Sequence, residues 1–124
     1  MLALHFDWPI VGAQAWQAED FHRFWSRSRA PLVVAGDFNA APWSALVRRV
    51  EDITRTQVLP GWRPSFFGGV GGRSGLLSVP FGLPVDHVLV SDGIGAAQAR
   101  TVALPGADHR AVVVRLSAPL RGGG

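Results

Sequence analysis

The stretch that most constrains the fold is PLVVAGDFNAAPWS, residues 31–44. Its apolar run, Leu32 to Ala35, shows no alternation and stops at Gly36. A short unbroken run between proline and glycine reads as a strand buried on both faces. Just past its end stand Asp37 and Asn39, with Phe38 between them. In extended chain the two polar side chains share one side and Phe38 takes the other. A strand built for the interior therefore delivers a carboxylate and a carboxamide together at its carboxyl end.

The remaining elements are read by periodicity around that strand. Residues 2–6 alternate and read as a strand ended by Asp7-Trp8-Pro9, since proline cannot continue a central ladder. From Ala13 to about Ser28 the period is helical. Trp16, Phe21, Phe24 and Trp25 are expected on one face, and Gln17, Asp20, Arg23 and Arg27 on the other. A second, short helix is expected from Trp43 to about Val50, with Pro42 at its first turn and Leu46, Val47 and Val50 inward. Residues 60–83 form a long loop rich in glycine and proline, whose two phenylalanines and Leu-Leu pair argue that parts of it pack. Three strands are expected at 84–91, 97–104 and 111–116. Strand, helix, strand, helix, loop and three strands give an α/β (α+β) layered class, with helices packed on a largely antiparallel sheet. No glycine-rich turn opens a helix after the first strand, which argues against a dinucleotide-binding fold.

At 124 residues the chain is one domain. No cysteine is present, which excludes disulfides and thiolate metal sites, and no apolar run has bilayer-spanning length. The formal charge is +3, and all twelve basic residues are arginines, scattered along the chain. Most of them read as solvated surface; the balance permits an anionic partner without establishing one.

The strand-end pattern recurs. Asp86 and His87 interrupt the apolar run of PVDHVLV, Asp108 and His109 precede AVVV, and His5 stands inside or at the end of the first strand. Carboxylates beside apolar strands are costly to bury unless paired or bound to a cation. With no cysteine and no HExxH spacing, carboxylate, carboxamide and imidazole suit Mg2+ or Mn2+ better than zinc. Each residue also has a plainer role open to it. Asp37 could cap the turn before Pro42, Asn39 could be a turn residue, His5 a sheet histidine, His87 a packed neighbour and Asp108 a loop aspartate.

The motifs ALHFDWP, VVAGDFNAAPWS, LPVDHVLVS and GADHRAVVV, in this order, resemble the endonuclease/exonuclease/phosphatase superfamily, with its deoxyribonuclease-I-like α/β-sandwich. The resemblance runs from His5 to about Leu116, and the AAPWS extension and PVDHVLVS form resemble bacterial members. It implies that Asp37 orients or deprotonates the attacking water or shares a metal, and that Asn39 holds a phosphate oxygen. Asp108 would be a metal ligand. His109 would contact the scissile phosphate, as general acid or transition-state stabiliser, with Asp86 orienting it. His5 would lie on the other side of the phosphate, and Arg110 would add to the phosphate's electrostatic environment. The implied activity is Mg2+- or Mn2+-assisted hydrolysis of a phosphoester, nucleic acid among the candidate substrates.

Family domains are longer, with two sheets packed face to face. An early asparagine and a metal-binding glutamate in a QE-like motif have no counterpart here; Glu19 and Glu51 are the only glutamates, both on expected helices. Residues 1–120 are accordingly read as the C-terminal portion of such a domain, and 121–124 as a tail. Such a portion would expose an apolar sheet face open to association. The missing glutamate leaves a second reading, a non-catalytic remnant or binding module of the same fold.

Overall fold

The computed structural model describes residues 1–9, 12–25, 31–68 and 81–118. The Leu76-Leu77 pair and the 121–124 tail lie outside the described residues. The elements are β1 (Leu2–His5), α1 (Ala13–Phe24), β2 (Val33–Asp37), α2 (Ala45–Thr54), β3 (Thr56–Val58), β4 (Asp86–Ser91), β5 (Gly95–Val102) and β6 (Ala111–Ser117). Four strands form one sheet in the order β1-β2-β4-β3, and β5 pairs with β6 in a second. β1 and β2 run parallel, joined through α1; the other pairs are antiparallel. The class is layered α/β, as the pattern of elements requires.

One face of the four-stranded sheet carries the core. Val34 and Leu89 are fully buried with Phe6 and Phe38, under Ala18 of α1 and Leu46, Val47 and Val50 of α2. The other face is only half covered: Val33, Ala35 and Val88 are partly exposed, so β2 is not buried on both sides as its unbroken apolar run suggests. A cavity of about 330 Å3 separates Ala35 and Val88 on that face from Leu104 and Val112. Val113 and Leu116 of β6 are exposed.

The helices depart from expectation in ways that packing explains. α1 buries Ala18 and packs Phe21 against Phe6, edge to face at 6.4 Å, with Trp25 stacked on Phe21 at 6.3 Å. Trp16 and Phe24 face outward, 74% and 85% exposed, so the four aromatics do not share a face. α2 begins at Ala45 because Ser44 is its cap: the Ser44 Oγ accepts the Val47 N–H at 3.2 Å. It runs past Val50 to Thr54, whose hydroxyl donates back to the Val50 carbonyl at 2.6 Å. Arg55, left-handed at φ 54°, ends the helix and turns the chain into β3, a three-residue edge strand with no alternating signature.

The glycine that stops β2 has a steric reason. A Cβ on Gly36 would lie 1.8 Å from the Leu4 carbonyl oxygen, so only glycine lets β1 come this close.

Candidate active site

Sheet register assembles the site. Parallel pairing sets His5 beside Asp37, and antiparallel pairing sets Asp37 beside Asp86. Residues paired across neighbouring strands project from the same face. Three polar side chains therefore form one row across β1, β2 and β4, on the half-covered face.

His109 completes the row from the segment before β6. Its Nδ1 lies 2.8 Å from Asp86 Oδ2, and its Nε2 3.8 Å from Asp37 Oδ2. His5 Nε2 lies 3.7 Å from the same Asp37 oxygen. The two oxygens of Asp37 divide their work. Oδ1 accepts the Asn39 N–H at 2.8 Å, closing a turn, while Oδ2 faces both imidazoles.

Environment tunes these groups. Burial raises the Asp37 pKa above 3.8, the Asn39 N–H draws it back, and the charge of Asp86 pushes it up again; the net shift is upward. Burial pulls the His109 pKa down, but the hydrogen bond and charge of Asp86, then the charges of Asp37 and Asp108, more than offset it, leaving it above 6.5. Asp86 thus fixes the ring with Nδ1–H inward and favours the imidazolium. A half-buried acid beside an imidazole held by a second acid can exchange protons with a bound water or oxyanion.

The donor chemistry also suits a cation. Asp37, Asp86 and His109 each offer a ligand atom, all within 4.8 Å of one another. Two crowded carboxylates are hard oxygen donors whose repulsion a divalent ion relieves, and such ions complete their shells with water and phosphate. The residues present therefore fit a metal ion held chiefly by Asp37 and Asp86.

Three expected site residues sit elsewhere. Asn39 is left-handed at φ 46° and only 5% exposed, and its amide donates inward to the Phe6 carbonyl at 2.7 Å. Its Nδ2 thus serves the β1 end, and its Oδ1 is buried without a hydrogen-bond partner among the described residues. Asp108 is exposed, its carbonyl accepting the Phe67 N–H at 3.0 Å, and its carboxylate is outside the metal-capable group. The Arg110 guanidinium lies 4.0 Å over the Phe67 ring. His87 is buried on the opposite face, bonded to the Ala40 carbonyl at 2.7 Å and edge-on to Phe38.

Sequence reasoning passed over the supports. Ser65 is fully buried, and its Oγ accepts the Val85 and Asp86 N–H groups at 3.3 and 3.0 Å, pinning the start of β4. Phe66 packs its ring 5.0 Å from His109 and 5.4 Å from Trp8. Gln14 Nε2 ties Asp7 to Phe38 and Asn39 through three carbonyls at 2.7–3.2 Å. The available signal was a serine and two phenylalanines inside a glycine-rich loop.

The model of the Endonuclease/Exonuclease/phosphatase family matches residues 6–109, and the chain belongs to that family. A solved structure of a functionally unknown conserved protein from Enterococcus faecalis V583 superposes with a TM-score of 0.59 at 17% identity. The alignment covers 94% of this chain and 49% of that one, so this chain spans about half its length. No curated protein matches the chain. Among the described residues no helix is long and apolar enough to cross a membrane.

Proposed function

We propose that the chain carries the phosphoester-hydrolysing corner of its family's domain. The observation that carries this reading is His109 held between Asp86 and Asp37 at the end of the polar row. In the proposed reaction the phosphate sits against the row, with His5 and His109 donating to its oxygens. Asp37 Oδ2 orients the attacking water and accepts its proton. The His109 imidazolium, kept charged by Asp86, stabilises the negative charge that develops and donates a proton to the leaving oxygen. Asn39 acts by position, locking the turn that aims Asp37, and Arg110 adds positive charge at the rim. A Mg2+ or Mn2+ would be held by Asp37 and Asp86 and would supply charge neutralisation at the phosphate.

The test is hydrolysis of bis-p-nitrophenyl phosphate by the full chain with Mg2+ or Mn2+, and its loss in Asp37→Asn and His109→Gln. A fall of about 10²-fold or more in each variant is expected. Unchanged rates in both variants would sink the reading.

A non-catalytic role is favoured by one observation: both glutamates are already engaged. Glu19 pairs with Arg49 at 2.7 Å, and Glu51 accepts the Val58 N–H at 2.7 Å. Neither stands in the row. Absent hydrolysis of any phosphoester, with phosphate still bound, would select that role. Within the proposal, residues 1–120 are the C-terminal portion of the domain, and association proceeds through the exposed apolar residues of β6, Val113 and Leu116. A sedimentation coefficient that does not change with concentration would remove that association.

A further inference from the structure

Trp43 and Trp62 lie outside the polar row, yet they are built as a pair. Their rings stand 5.9 Å apart with only 16° between their planes, and they come from two different loops. Both are more than half exposed, 60% and 58%. Large aromatic surface is normally spent on burial, so two stacked indoles left open to water suggest a surface kept for something else.

Both rings line a cavity of about 300 Å3, together with Pro9, Asn39, Ala40 and Val85. The cavity is linked to the row through two of its lining residues. Asn39 hydrogen-bonds Asp37, and Val85 directly precedes Asp86. The aromatic cavity therefore adjoins the strand ends that carry the two carboxylates. Its walls are apolar, apart from the amides of Asn39 and Gln14 and the Ser44 hydroxyl.

We propose that Trp43 and Trp62 form a platform on which a nucleobase adjoining the scissile phosphate stacks, so that the substrate is base-bearing and single-stranded. The inference rests on the hydrolytic reading above and narrows its substrate class. Near-parallel rings match a planar heterocycle, and every base offers a π-face whatever its sequence. In a duplex those faces are covered by neighbouring bases, which selects unpaired nucleotides. An anionic backbone suits a chain of net charge +3. A lipid surface fits less well. The tryptophans line a concavity, and the adjacent Arg63 guanidinium is turned back onto the Leu59 and Pro60 carbonyls instead of outward to headgroups.

The experiment is fluorescence anisotropy with the full chain and metal chelated, so that binding is read without cleavage. The probes are a labelled oligothymidylate and an abasic oligomer of the same length and charge. Wild type is expected to bind the base-bearing strand at least about tenfold more tightly. Trp43→Leu and Trp62→Leu, singly and together, should erase that preference and leave abasic binding within about twofold of wild type. Should the double variant fail to fold, quenching of tryptophan emission by oligothymidylate that is present in wild type and lost in either single variant gives the same answer. Equal affinity for both strands overturns the proposal. So does a base preference that survives both substitutions, or their loss of binding to phosphatidylglycerol vesicles instead of to oligothymidylate. Base preference without metal-dependent cleavage would leave the platform standing and remove the hydrolytic reading.

Discussion

His109 presents Nδ1 to Asp86 at 2.8 Å and so turns Nε2 toward Asp37, 3.8 Å away. One carboxylate fixes the ring and the other shares its working edge. Removing the first should therefore change the second interaction as well. In Asp86→Asn the charge that holds the His109 pKa above 6.5 disappears. The ring should then titrate lower by NMR, and hydrolysis should fall about 10²-fold. An unshifted His109 titration would show that Asp86 is not the partner that sets its charge.

Asp86 is itself held by Ser65, which suggests a test remote from the chemistry. Ser65→Ala leaves the Val85 and Asp86 N–H groups without their shared acceptor. Losing the partner of a buried donor costs about 1–3 kcal/mol. Urea unfolding should report a loss in that range; a loss below about 0.5 kcal/mol would mean that water replaces the hydroxyl at no cost.

How much of this was legible in the sequence follows from what sequence can encode. Asp37, Asp86, His109 and His5 were legible because each breaks an apolar strand or ends one, where a polar side chain has little structural reason to be. The resemblance implied their convergence, with Asp86 orienting His109; the register that achieves it was not legible, because it depends on which strands pair, and nothing in residues 33–37 says that β4 lies alongside. Asn39 is ambiguous in sequence because one residue type serves both as phosphate donor and as left-handed turn residue; here its backbone N–H closes the turn with Asp37 and its side-chain amide donates to the Phe6 carbonyl. Asp108 adds its charge beside His109, but its side chain is exposed and its carboxylate falls outside the metal-capable group. The α1 aromatics deceived because hydrophobicity was read as burial. Trp16 and Phe24 lie outside the arc of Ala18, Phe21 and Trp25 that the sheet covers. β3 was missed because three residues after a left-handed arginine carry no period to detect.

Gly36 is the sharpest steric constraint on the row, since it sits between the pairing that places His5 and the turn that places Asp37. Gly36→Ala drives a methyl group into the Leu4 carbonyl. Backbone cannot yield as a side chain can, so the cost should be about 3 kcal/mol or more, and β1 should detach from β2. Gly93→Ala is the control. It meets no atom within 4 Å and differs only by φ +86°, so its cost should be about 1 kcal/mol. Equal destabilisation of the two variants would place the effect in backbone freedom instead of in close approach.

His87 gives the fold a pH dependence that can be separated from catalysis. Burial lowers its pKa below 6.5; the Ala40 carbonyl and Asp86 oppose this, Arg63 adds to it and Glu51 opposes it, and the net shift is downward. The folded protein therefore holds His87 neutral where the unfolded chain already takes up a proton. Its contribution to stability is complete above about pH 6.5 and declines as pH falls through that value toward the lower folded pKa. Each pH unit inside that window costs up to about 1.4 kcal/mol. His87→Gln keeps a donor for Ala40 and removes the titration. Denaturant midpoints of the two proteins, measured from pH 8 downward, should converge below about pH 6.5 as wild type loses its advantage. Parallel curves across the whole range would mean that His87 does not titrate with unfolding, and the acid sensitivity of the fold would then have to come from the carboxylates.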